Sequence, residues 1–175
     1  MKMTILAMGF ALLMLCSCYN KDEKHNEAYI TERVQSFYEL QDDQKCCSKS
    51  YLKLYKEAKK ISERDGTIFL DCDHWTMSND IVSDNWKYQI LSIDSISDNT
   101  ALAMVQINEN YYETKMKLAL VFERGDWYVD NFIGVTQTAF DASVEVFEEQ
   151  EIYYDEKEMM RNYIKESEEE DEEED

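Results

Sequence analysis

From Trp86 onward the sequence keeps a two-residue beat, and nothing else in it constrains the fold as strongly. Trp86–Ile93, Ala101–Asn108, Thr114–Glu123 and Trp127–Ile133 alternate or run apolar, with many β-branched and aromatic side chains. Such segments are strands lying half-buried on a pleated surface. The stretches between them, Ser95–Asn99, Glu109–Asn110 and Arg124–Gly125–Asp126, are short and polar, as antiparallel hairpins require. The chain contains no proline, so nothing bars these strands from the interior of a sheet.

Before the strands the period is helical. Ile30, Val34, Phe37 and Tyr38 share one face of a helix that opens at Asn26 or Glu27 and runs to about Gln41. Ser48 is a good N-cap for a second helix carrying Leu52, Tyr55, Ala58 and Ile61, and Asp65–Gly66 stops it. Thr67–Asp71 has the composition of a short β segment. Helices followed by an antiparallel meander predict an α+β domain: two helices on a curved sheet of about four or five strands. After Gly134 the spacing of Phe140, Val144, Phe147, Ile152, Met160, Tyr163 and Ile164 predicts helix again. The expected organisation is therefore residues 27–135 as the α+β domain, 136–165 as a C-terminal helical extension and 166–175 as an acidic tail. That tail, nine acids and one serine, is expected to stay disordered through self-repulsion.

The amino terminus predicts a compartment. Lys2 precedes an apolar run, Ile5–Leu15, which is shorter than the roughly 20 residues a membrane-spanning helix needs. A basic start, a short apolar middle and small residues at the end describe a signal peptide over 1–17. Leu15-Cys16-Ser17-Cys18 resembles a bacterial lipobox, with Cys18 the residue to be acylated, since Leu15 is bulky for cleavage before Cys16. About two acyl chains anchor a protein stably. Residues 18–26 then form a tether, and Lys21-Asp22-Glu23 looks like the acidic export signal of Bacteroidetes surface lipoproteins. The expected location is the cell envelope, as an outer-membrane lipoprotein with its membrane contact made by lipid (palmitate or a similar chain) on Cys18.

Charge narrows the partners. Of the formal −20, the segment from Asp141 onward carries −14, so the acidity is mainly C-terminal. Nucleic acid, whose phosphates need Lys and Arg, is excluded as a partner. Beyond Cys18 there remain Cys46, Cys47 and Cys72. In an oxidising compartment one of the adjacent pair could bridge to Cys72, or all three could be buried thiols.

Four stretches carry a family resemblance: VQSFYEL (34–40), SKSYLKLYKEA (48–58), FLDCDHWTMSNDIVSDNWKYQILSI (69–93) and ALVFERGDWYVDNF (119–132). Together they resemble the bacterial lipoprotein family called domain of unknown function 3828, itself similar to the cystatin-like and nuclear transport factor 2-like cone folds. Asp71, Asp73, Asp80 and Trp86 match the family's aspartate-rich turn and following strand, and Gly125, Trp127 and Asp130 match its last hairpin. His74 stands where the family usually has proline, and Asn79 where it has glutamine. The resemblance implies a cone-shaped domain and no particular activity.

The most chemical-looking segment is Asp71-Cys72-Asp73-His74-Trp75. Asp71, Asp73 and Asp80 could hold a hard cation such as calcium, against the plainer reading of an Asx-rich turn. Asp73 and His74 could act as a general acid–base pair, and Cys72 with His74 as a nucleophile and base, against a structural cysteine and a surface histidine. Arg124-Gly125-Asp126 spells an adhesion tripeptide that a glycine turn also explains. Trp75, Trp86 and Trp127 could line a ligand cavity or simply fill the core. The reading these features favour is a non-catalytic binding module for a small ligand or protein partner, needing no cofactor. The alternatives are a hydrolase- or isomerase-like cavity enzyme using Asp73 and His74, and an inhibitor or immunity protein set against a basic enzyme.

Overall fold

The computed structural model describes residues 21–78, 86–109, 112–141 and 146–174; Cys18, Asn79, Asp80 and the signal segment lie outside these residues. A helical turn, α1 (Lys21–Lys24), leads into α2 (Glu27–Leu40), α3 (Asp43–Cys46) and α4 (Lys49–Asp65). The sheet follows as β1 (Lys87–Asp94), β2 (Thr100–Glu109), β3 (Tyr112–Glu123), β4 (Asp126–Asp141) and β5 (Val146–Asp155), and α5 (Glu156–Glu174) closes the chain. The architecture is α+β, with one open antiparallel sheet in the order β1-β2-β3-β4-β5.

The first two long helices form where local chemistry places them. Asn26 Oδ1 accepts from the Tyr29 amide at 2.9 Å, capping α2. Ser48 Oγ accepts from the Tyr51 amide at 2.9 Å, and Gly66, in the left-handed region at φ 67°, ends α4. One face of the sheet is buried: Ala101, Ala103, Val105 and Ile107 of β2 stand beside Met116, Leu118 and Leu120 of β3 and Val129 and Phe132 of β4. The apolar faces of α2 (Ile30, Val34, Phe37, Tyr38) and α4 (Tyr51, Ala58) complete this core. A buried aliphatic or aromatic side chain contributes about 1.5–3 kcal/mol, which is why the two-residue beat and the helical beat meet here.

Three expectations are corrected. Thr67–Asp71 forms no strand; it crosses from α4 to the turn beyond with Phe69 packed against Tyr55 and Tyr163 rather than paired to a neighbouring strand. Residues 136–141 and 146–155 are not helical: β4 runs through position 135 to Asp141, and β5 pairs with it, Thr136 opposite Glu151 and Ala139 opposite Glu148. Phe140, Phe147 and Ile152 fit either period, and pairing along β4 decides between them. The helix begins only at Glu156, and it continues to Glu174 where disorder was expected. Met160 and Ile164 bury against the body, while Arg64 Nη2 donates to Ser167 Oγ at 2.7 Å, so the acidic end extends from an anchored helix.

The end of the expected tether is also docked, at Lys24 and His25. Trp127 Nε1 donates to the Lys24 carbonyl at 2.7 Å, and His25 packs on Phe122 with ring centres 4.4 Å apart.

Candidate functional site

The turn after α4 is built by one carboxylate. Asp73 Oδ1 accepts from the amides of Trp75 (2.9 Å) and Thr76 (3.0 Å) and from the Thr76 hydroxyl (3.1 Å). The Asp73 amide donates to the Ser78 carbonyl at 2.9 Å, and Met77, at φ 57°, turns the chain back. Asp73 is therefore the organiser of an Asx turn, its accepting oxygen spent on its own loop.

That turn drives His74 and Trp75 into the core. His74 is 8% exposed. Its Nε2 bonds Asp43 Oδ1 at 3.0 Å, and its Nδ1 faces Glu156 Oε1 at 3.4 Å. Asp43 sits in the short helix α3 and also accepts from Trp75 Nε1 at 3.0 Å. Glu156, wholly buried at the start of α5, accepts from the hydroxyls of Tyr51 and Tyr154. With a carboxyl group facing each ring nitrogen, and the Tyr51 hydroxyl 3.4 Å from Nδ1, the surroundings favour the imidazolium, both of whose nitrogens donate. Burial alone would depress the His74 pKa, but Asp43 and Glu156 outweigh it and push it up to about 10. On Asp43, burial raises the pKa while the hydrogen bond and charge of His74 and the Trp75 indole lower it, and the net direction is down. Neither Asp73 nor His74 lines the cavity described below, so the acid–base pair expected from the sequence is not assembled there.

The other candidates disperse as well. Trp127 is fully buried, Trp75 nearly so, and Trp86 is half-buried beside Tyr38 and Tyr88; none lines the cavity described below. Arg124 and Gly125 make the β3–β4 turn, with φ 53° and 77°, and Asp126 is engaged by Arg33 at 3.2 Å. Cys46, Cys47 and Cys72 are free thiols; the first two are buried and burial pushes the pKa of all three up. Raised thiols are poor nucleophiles. Among the described residues no group of three His, Cys, Asp or Glu side chains could hold a metal ion. Asp71 and Asp73 do not form one, and Asp80 lies outside those residues.

What the turn does create is a cavity of about 370 Å³. Its floor is the row Ile107, Thr114 and Gln137, where β2, β3 and β4 lie side by side. One wall is the turn, from Asp71 and Cys72 to Thr76, Met77 and Ser78; the other is Ile152, Tyr153 and Tyr154 of β5, with Tyr112 at the start of β3. Gly134 allows that second wall. A Cβ there would lie 2.7 Å from Ile152 Cδ1 and 3.0 Å from Tyr154 Cβ, so a larger residue would crowd β5 where it pairs with β4.

Asp43, Glu156, Gly134 and the β5 tyrosines escaped the sequence reading. One local signal was present: Asp155 followed three residues later by Glu158 is a helix-start pattern. Asp155 Oδ1 does accept from the Glu158 amide, at 2.9 Å. Reading it would have ended the helix prediction at 155 and freed 146–155 to be a strand.

Compared with known proteins, the chain matches no family model, no curated protein and no solved structure.

Proposed function

We propose that this chain is a bacterial envelope lipoprotein, anchored at the outer membrane through Cys18, whose domain is a non-catalytic binding module for a small ligand. The observation that carries the reading is the cavity of about 370 Å³, with apolar Ile107, Ile152 and Met77 interleaved with Thr114, Gln137 and the tyrosines. Ligand sites are concave and combine apolar surface with polar groups that fix orientation; this one does so with polar and apolar lining in about equal parts. The runner-up, a cavity enzyme, would need Asp73 and His74 in the cavity, and both are committed to internal bonds. We also propose the finer cone-like fold of the resembling family. The five-stranded meander and its bulged β4 support it, because each extra residue bends a strand.

The test is ligand-observed NMR with a panel of small neutral aromatic and hydroxylated fragments. Saturation transfer to several fragments is expected from the native chain and lost in Gln137→Trp, which fills the floor. No transfer at all, or transfer unchanged in a folded Gln137→Trp variant, would defeat the reading.

A further inference from the structure

We infer that the cavity takes a small organic cation with an alkylated ammonium head, choline-like in its chemistry; this rests on the binding-module reading above. Three tyrosines, Tyr112, Tyr153 and Tyr154, contribute to the lining. Tyr112 and Tyr153 are 52% and 85% exposed, an unusual outlay of aromatic surface at the edge of a cavity. Among the described residues that line it, the one charged side chain is the exposed Asp71, and there is no Lys, Arg or His. An anionic ligand would find no counter-charge here and would have to approach a chain of net −20. A cation is drawn in by the same field.

The aromatic rings are prepared for a cation. The Tyr153 hydroxyl donates to Glu158 Oε2 at 2.6 Å and the Tyr154 hydroxyl to Glu156 Oε2 at 3.2 Å. A phenol sharing its proton with a carboxylate carries more electron density in the ring, which deepens the negative potential over its face. Ammonium groups bind such faces most strongly where water is partly excluded, and methylated heads lose least on leaving water. Thr114 and Gln137 on the floor can take a hydroxyl tail. A neutral hydroxylated ligand would use the same two side chains and could donate a hydrogen bond to Asp71 but would gain no charge attraction.

Titration calorimetry with choline and with dimethylbutanol, its uncharged carbon isostere, separates the possibilities. Choline is expected to bind at least about tenfold tighter than the isostere, and Asp71→Asn and Tyr112→Leu each to weaken choline about fivefold, the scale of one partly desolvated cation–π contact. Both positions are exposed, so the variants should melt as the native chain does. Equal affinity for the two compounds, or choline binding untouched in both variants, would overturn the cation assignment. If choline gives no heat while neutral fragments still saturate in a manner sensitive to Gln137→Trp, the cation class falls and the binding module stands. If neither engages the cavity, both fall. Flotation with phosphatidylcholine vesicles then distinguishes sources: capture reversed by choline assigns a lipid headgroup, and free binding without capture a soluble solute, either upholding the class.

Discussion

At the scale of single residues, the most consequential group is His74. Its imidazolium lies between Asp43 and Glu156, and the latter has no exposed surface. Removing one partner of a buried ion pair leaves an uncompensated charge, which typically costs about 3–5 kcal/mol. His74→Gln should therefore lower the urea midpoint steeply, and adding Glu156→Gln should recover part of the loss. The folded pKa of His74, about 10, lies above its ordinary value of 6.5, so the folded state holds this proton more tightly than the unfolded chain. The stability it supplies is fully present below about pH 6.5 and is lost as pH rises through about 10. Asp43 works in the opposite sense, its depressed pKa adding stability that disappears as pH falls through the acid range. Urea melts of native and His74→Gln protein across pH 6.5–10 check this: the difference between them should shrink with rising pH. A constant difference would mean that His74 is neutral and holds its place by packing alone.

At the scale of elements, α5 has two halves with different duties. Its start is fastened by Lys157, whose Nζ donates to Asp130 Oδ2 and Ser50 Oγ, both at 2.9 Å, and by the Lys157 amide on Asn131 Oδ1 at 3.0 Å. A bulge in β4 leaves Asp130 unpaired and available to this lysine. Met160 is fully buried one turn later, so Met160→Ala should cost about 2–5 kcal/mol. A stop after Ser167, by contrast, removes exposed Glu168 and Glu169 and the remaining acids, whose charge opposes the helix dipole. Its melting temperature by circular dichroism should stay within a few degrees of native, and a large drop would show that the acidic end carries structure. How much of this was legible follows from where each cause resides. Ser48, Gly66 and the alternation of β1 to β4 act through neighbours in sequence, and they marked their elements, β4 only as far as Ile133 of its run to Asp141. β5 owes its conformation to pairing with β4 beside Gly134, and its local signals, the Asp155 cap and a few β-favouring residues, are weak beside its helical spacing. The cavity is less legible still, because its walls come from a loop and a strand that meet only after folding.

At the scale of the whole molecule, the proposed envelope location raises the question of how an acidic body would stay at a membrane. Among the described residues no helix is long and apolar enough to cross a bilayer. The net charge of −20 sets the protein against anionic headgroups, so electrostatics cannot hold it there. If the protein resides in the envelope as proposed, the holding free energy has to come from acyl chains, at about 0.8 kcal/mol per buried methylene. Cys18→Ser should then move the protein from the membrane fraction to the soluble fraction without altering its melting temperature. Fractionation with high-salt washing provides the check. Native protein should resist the wash, because salt screens charge and leaves acyl insertion intact. A Cys18→Ser variant that still sediments with membranes would place the anchor elsewhere in the chain. Native protein released by salt would mean that a charged partner, and not a lipid, holds it.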